Sequence, residues 1–181
     1  LSWTLPEETS TNRSTLVWDN GSFITHQGQG FNGADVSALN NGGRATGFIV
    51  DKLLGNATTD DFILGGKTHI SEMIFYAFQK QAPLNSSPVL AIYVAIYDGN
   101  PATGGECLWG DYLTNSVFKS SKFSDALRAK SEELSIVDYP IYKVTGKIDQ
   151  TLPAGKYWVA ITMAGENAYR SPYANPVTIL N

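Results

Sequence analysis

Residues 89–97, VLAIYVAIY, are apolar on both alternating sides. Val89, Ala91, Tyr93, Ala95 and Tyr97 fall on one side; Leu90, Ile92, Val94 and Ile96 fall on the other. A pleated strand sends successive side chains to opposite faces, so this run has no face for water. It belongs in the middle of a sheet covered on both sides. Residues 70–78, ISEMIFYAF, are a second run of β-branched and aromatic residues. Polar turn material over 80–88 separates the two. Together they predict the central strands of an all-β core.

The remaining chain follows the same pattern of short apolar runs between turns. Strands are predicted at 15–18, 22–26, 45–54, 60–64, 117–123, 134–148, 156–163 and 174–180, with Pro140 interrupting the sixth of these. Asn20-Gly21 predicts a tight hairpin, since both residues tolerate positive φ. Leu152-Pro153-Ala154-Gly155 predicts a turn. Residues 1–14 read as a lead-in or an edge strand around Trp3, which packs on the body. Residues 27–44 read as a long glycine-rich loop, a length often tied to function, and 98–111 as a second loop. Ser124 to Glu133 is the one helix-like stretch, with Ser124 as its cap. About ten strands, at most one short helix and no βαβ alternation predict an antiparallel β-sandwich of jelly-roll type, as a single domain over 1–181.

Charge narrows the partners. The net charge is −4 and no Lys/Arg cluster stands out, so no nucleic acid partner is expected. No apolar run reaches the ~20 residues of a membrane-spanning helix. Cys107 is the only cysteine, so the fold depends on packing without an internal disulfide. The sequence opens on Leu1 rather than Met, as removal of a leader or trimming of the chain would leave it.

Several stretches, in order, carry a resemblance. They are 32–39 (NGADVSAL), 60–62 (DDF), 70–79 (ISEMIFYAFQ), 96–105 with Trp109-Gly110-Asp111, Tyr139-Pro140-Ile141, and 152–158 (LPAGKYW). The set, spanning roughly residues 16–165, resembles a family of bacterial β-sandwich modules found in large extracellular proteins, often with C-terminal sorting domains. The chain departs from it at Tyr112-Leu113-Thr114-Asn115-Ser116 and at Asp138-Tyr139. The resemblance implies a secreted or cell-surface, non-catalytic module.

No nucleophile-and-base motif and no zinc-ligand spacing is present, and His26 and His69 are the only histidines. Both read as surface or packed residues, and no enzymatic activity is expected. Calcium is the candidate cofactor, because hard cations take oxygen ligands from loop-edge carboxylates. Asp60 and Asp61 open a strand, Asp98 and Asp111 bracket a loop, and Asp35 lies in the long loop; turn capping is the plain alternative for each. Aromatic residues outside the predicted strands are the candidate ligand platform: Trp109, Tyr112, Tyr169, Tyr173 and Phe31. The alternative for Trp109 is that it closes the core. The expected function is adhesion or assembly through a glycan or protein partner, or carbohydrate binding with a structural calcium. Self-assembly would use residues 1–14 or 174–180 as strands added to a neighbouring sheet.

Overall fold

The computed structural model describes residues 1–8, 14–38, 47–129 and 133–176. These contain twelve strands and three single-turn 3-10 segments. The strands are β1 (Trp3–Glu8), β2 (Ser14–Asp19), β3 (Asp35–Ala38), β4 (Phe48–Ile49), β5 (Thr58–Leu64) and β6 (Thr68–Phe78). They continue as β7 (Val89–Tyr97), β8 (Cys107–Gly110), β9 (Phe118–Ala129), β10 (Pro140–Leu152), β11 (Gly155–Gly165) and β12 (Tyr173–Ala174). No described helix is long and apolar enough to cross a membrane.

Two sheets are present. The larger runs β2-β1-β6-β10-β9-β3; β12 pairs with the edge of β6 that also takes β1, and β4 pairs with β12. The smaller runs β5-β11-β7-β8. All these pairings are antiparallel except β3 with β9. Set aside β1, β2, β3 and β9, and the orders become β4-β12-β6-β10 and β5-β11-β7-β8. In that frame every link but β7–β8 passes to the other sheet, the double Greek key of a jelly roll. The all-β sandwich is therefore as expected, with twelve described strands rather than about ten.

The core lies between the inner faces. β6 supplies Ile70, Met73 and Phe75, and β10 supplies Tyr142, Val144 and Ile148. Facing them are Phe62 and Leu64 of β5, Ile92, Val94 and Ile96 of β7, and Val159, Ile161 and Met163 of β11. Trp3 joins the layers: its ring meets Phe62 edge-on at 5.2 Å and lies along Phe75 at 6.1 Å.

Local chemistry accounts for the breaks in the ladders. Pro140 begins β10, the position in a strand that tolerates a missing N–H. Asp125 and Asp149 sit at φ 57° where the register of β9 and β10 shifts. Aspartate tolerates this left-handed conformation better than most side chains, so each bulge has a suitable residue.

The runs at 70–78 and 89–97 are interior strands as expected, one in each sheet. Several other expectations are corrected. Asn20-Gly21 makes no hairpin: the Asn20 amide donates to Leu1 O and Asp60 Oδ2, both at 2.6 Å, and the chain leaves β2 instead of folding back. Of residues 22–26 only His26 makes a bridge, to Val36. Trp3 is not in an edge strand: β1 lies between β2 and β6, with Trp3 and Thr4 paired to β6 and residues 4–8 paired to β2. The long loop contains β3, while residues 39–44 lie outside the described residues. Only Phe48–Ile49 of 45–54 is strand; Asp51 then caps a 3-10 turn, Lys52–Leu54, by accepting from Leu53 N at 2.8 Å, and residues 45 and 46 are not described. The helix-like stretch is strand as far as Ala129, with residues 130–132 outside the description. Ser124 donates to Ile141 O at 2.8 Å rather than capping a helix. Pairing with β10 and burial of Ala126, Leu127 and Arg128 outweigh the local helix propensity there. Leu134 to Tyr139 is not strand; the last described strand is Tyr173–Ala174, and residues 177–181 of the expected final strand lie outside the described residues.

Replacing Trp3, fully buried at 0% exposure, by Ala is expected to lower unfolding stability by about 3–5 kcal/mol in urea titration. Leu53→Ala, at 76% exposure, is expected to stay within about 0.5 kcal/mol.

Candidate functional site

Alternation on the small sheet turns Ile92, Val94 and Ile96 inward and Tyr93, Ala95 and Tyr97 outward. On β11 it turns Trp158, Ala160 and Thr162 outward. The register then makes cross-strand rows: Asp61, Trp158, Tyr97 and Cys107 in one, Ala160, Ala95 and Gly110 in the next, Thr162 and Tyr93 beyond. Ala95, Ala160, Thr162 and Tyr93 are buried, which leaves Trp158 and Tyr97 as the open aromatic surface of these rows. Trp158 and Tyr97 are half-buried, each anchored along part of its ring with the rest open.

Two segments border this face. The 3-10 turn Lys52–Leu54 borders one end: Thr162 Oγ1 donates to Val50 O and Asn56 O at 3.1 and 2.8 Å, holding the segment down. From that turn Lys52 Nζ donates to the Tyr93 hydroxyl at 3.1 Å and lies 4.2 Å from the ring centroid. Along the β8 side runs the turn that follows Gly110. Gly110 has φ 81°, and a Cβ there would stand 2.2 Å from Val94 O, so only glycine permits this approach. Asp111 shapes the turn by accepting from Leu113 N at 2.7 Å and from Thr114 Oγ1. Those hydrogen bonds, Thr114's first, hold its carboxyl below the ordinary carboxylate range, and Lys52 adds to the effect. The Tyr97 phenol is pushed above its ordinary value, first by burial and then by Cys107, Tyr112 and Asp111. Tyr112 and Asp111 thus lie within electrostatic reach of Tyr97.

Polar groups complete the face. Lys156 Nζ pairs with Asp61 at 2.9 Å and lies 5.8 Å from the Trp158 ring centroid. The arrangement offers aromatic surface, N–H donors and carboxylate acceptors side by side. That is suited to a ligand with an apolar face and a rim of hydroxyls.

The other candidate residues lie elsewhere. Trp109 is in strand β8 and packs against the core, as its alternative reading had it. Tyr169 also packs on the core and lines a small cavity with Gln79, Asp51 and Arg170; the Gln79 amide donates to Glu166 O and Arg170 O there at 3.3 and 2.8 Å. Tyr173 belongs to strand β12, not a loop, and stacks on Phe78 at 5.4 Å. Phe31 is exposed on a 3-10 turn. Asp60 receives the Asn20 amide and lies 3.5 Å from the Leu1 amino group. Asp98 accepts from Glu106 N at 2.7 Å and Asp35 from Gly28 N at 2.8 Å. Among the described residues no three His, Cys, Asp or Glu side chains gather as a metal-binding group. Of the candidates, only Tyr112, Asp111 and Asp61 come to the small-sheet face. Trp158, Tyr97, Tyr93 and Lys52 fall within predicted strands, whereas the aromatic candidates come from outside them; the apolar outer side of β7 was the available signal.

A second polar grouping is a groove on the large sheet lined by His69, Ser71, Glu72, Lys119, Lys147 and Asp149. Its charges are largely engaged with one another. Glu72 pairs with Lys119, and the His69 ring contacts Thr151 Oγ1 through Nδ1 at 3.1 Å and Asp149 through Nε2 at 3.5 Å. Both imidazole nitrogens serve as lateral links between β6 and β10. His26 instead contacts Thr25 Oγ1 at 2.8 Å beside β3.

No protein-family model, curated protein or solved structure matches the chain. The family resemblance therefore rests on the quoted motifs alone.

Tyr97 is expected to titrate above free tyrosine in NMR of tyrosine-labelled protein. Asp111→Asn should move that titration downward, because a neighbouring negative charge is removed, whereas Asp35→Asn should leave it in place.

Proposed function

We propose that this chain is a non-catalytic binding module whose outer small-sheet face takes a glycan. The observation that carries the reading is the cross-strand row Asp61–Trp158–Tyr97, with Lys156 tethered beside the indole. A sugar ring has an apolar C–H face that packs on an aromatic ring, and hydroxyls that need donors and acceptors close by. Here both requirements are met by side chains on paired strands of a packed sandwich, so little ordering is needed on binding. A glycan-binding module of this kind fits the secreted or cell-surface setting implied by the motif resemblance, with adhesion to a glycan-bearing surface as its role.

The test is binding of the protein to a glycan array, followed by titration calorimetry on the hits. Trp158→Ala and Tyr97→Ala are expected to weaken binding by at least about tenfold each, in keeping with truncation of central aromatic contacts. Tyr173→Ala, on the other sheet, should leave affinity intact. Circular dichroism on each variant separates loss of the face from loss of the fold. Retained affinity in both face variants would refute the assignment.

A further inference from the structure

The charge arrangement on this face distinguishes two kinds of glycan. Resting on the glycan reading above, we infer that the ligand is an acidic chain, with an anionic group met by Lys52 while another of its sugars packs on Trp158 and Tyr97. The two lysines of the face differ in their partners. Lys156 is neutralised by Asp61 at 2.9 Å. Lys52 has no carboxylate within ion-pair distance among the described residues; its ammonium is held by the hydroxyl of Tyr93 at 3.1 Å and by that ring's face at 4.2 Å. A phenol and a π-face orient an ammonium without cancelling its charge, so donors remain for an anion.

Asp111 lies within electrostatic reach of Lys52, which contributes to its lowered pKa. Its carboxylate is already accepting from Leu113 N and Thr114 Oγ1 in its own turn. It moderates the field at Lys52 but does not form a contact pair with it.

Spacing sets the length of the ligand. Tyr93, which holds Lys52, and Tyr97, which pairs with Trp158, are four residues apart on β7. At strand rise that separation is about 13 Å. A single sugar cannot reach both positions, whereas a chain lying along the strands can. Ala95 and Ala160, small and closed to water, lie between the two positions, so no bulky floor residue divides the path. The shared chemistry is an anionic substituent on an oligosaccharide: a uronate carboxylate or a sulfate ester.

The experiment compares three tetrasaccharide probes by calorimetry: an oligouronate, its carboxyl-reduced neutral counterpart, and a sulfated oligosaccharide. At least one acidic probe is expected to bind about tenfold more tightly than the neutral one, the size of a charge-assisted hydrogen bond. Which acidic probe does so identifies the anion. Lys52→Gln should abolish the acidic preference and Lys52→Arg should keep it, while Lys119→Gln on the large sheet should not alter it. Equal affinity for acidic and neutral probes, with binding still dependent on Trp158, overturns this inference and leaves the glycan reading standing. An acidic preference that survives Lys52→Gln in a folded protein also overturns it. Failure of every probe to bind, together with an empty array, overturns both.

Discussion

Strand β7 is apolar on both sides, and both sides must be covered. Its inward side, Ile92, Val94 and Ile96, packs against the large sheet and forms the centre of the core. Among the described residues its outward side meets no third sheet. It is flanked instead by Trp158 from the neighbouring strand, by the Lys52 turn, and by the turn after Gly110, whose Asp111 N donates to Val94 O at 3.1 Å. The requirement that makes the core therefore also makes the candidate site. Aromatic and cationic side chains are suited to such a surface, because each has an apolar body to bury and a polar end that remains wet.

Buried polar groups fix the segments around this frame. Gln79, nearly inaccessible in the β6–β7 connection, ties down the loop after β11 through two carbonyls. Gly165 lies so close to that amide that a Cβ would come within 2.2 Å of Oε1. Arg128, buried in β9, donates to Ser37 Oγ at 2.7 Å and joins β9 to β3. Burial lowers its pKa to about 10, which still leaves it charged at neutral pH. Hydrogen bonds between distant parts of the chain thus complement the hydrophobic contact between sheets. A buried polar group tolerates few alternative arrangements, so these contacts specify loop positions that apolar packing alone would leave open.

Legibility followed the range of the interactions. The runs at 70–78 and 89–97 and the strand at 156–163 were readable because alternation and β-branched content act locally. The stretch at 124–129 misled for the same reason: its alanines and charges favour a helix, and only pairing with β10 and burial of Arg128 make it strand. Asn20-Gly21 carries a hairpin signal that the side chain of Asn20 overrides by reaching Asp60 forty positions away. Tyr112 and Asp111 were legible as site candidates because they sit in a turn, while Trp158 and Tyr97 lie in strands whose outer face the sequence does not single out.

What the residues alone determined was a class: many short strands, two with unusual apolar content, no long helix and no strongly charged surface. Propensity and alternation suffice for that, since each depends on neighbours along the chain. Tertiary structure decided which strands pair, which sheet each joins, and which aromatic side chains face water. Those choices depend on contacts between residues 40 to 140 positions apart, such as Asn20 with Asp60 and Ser37 with Asn175. A strand's sequence states that it has two faces; the packing of the two sheets decides which of them is left to meet a ligand.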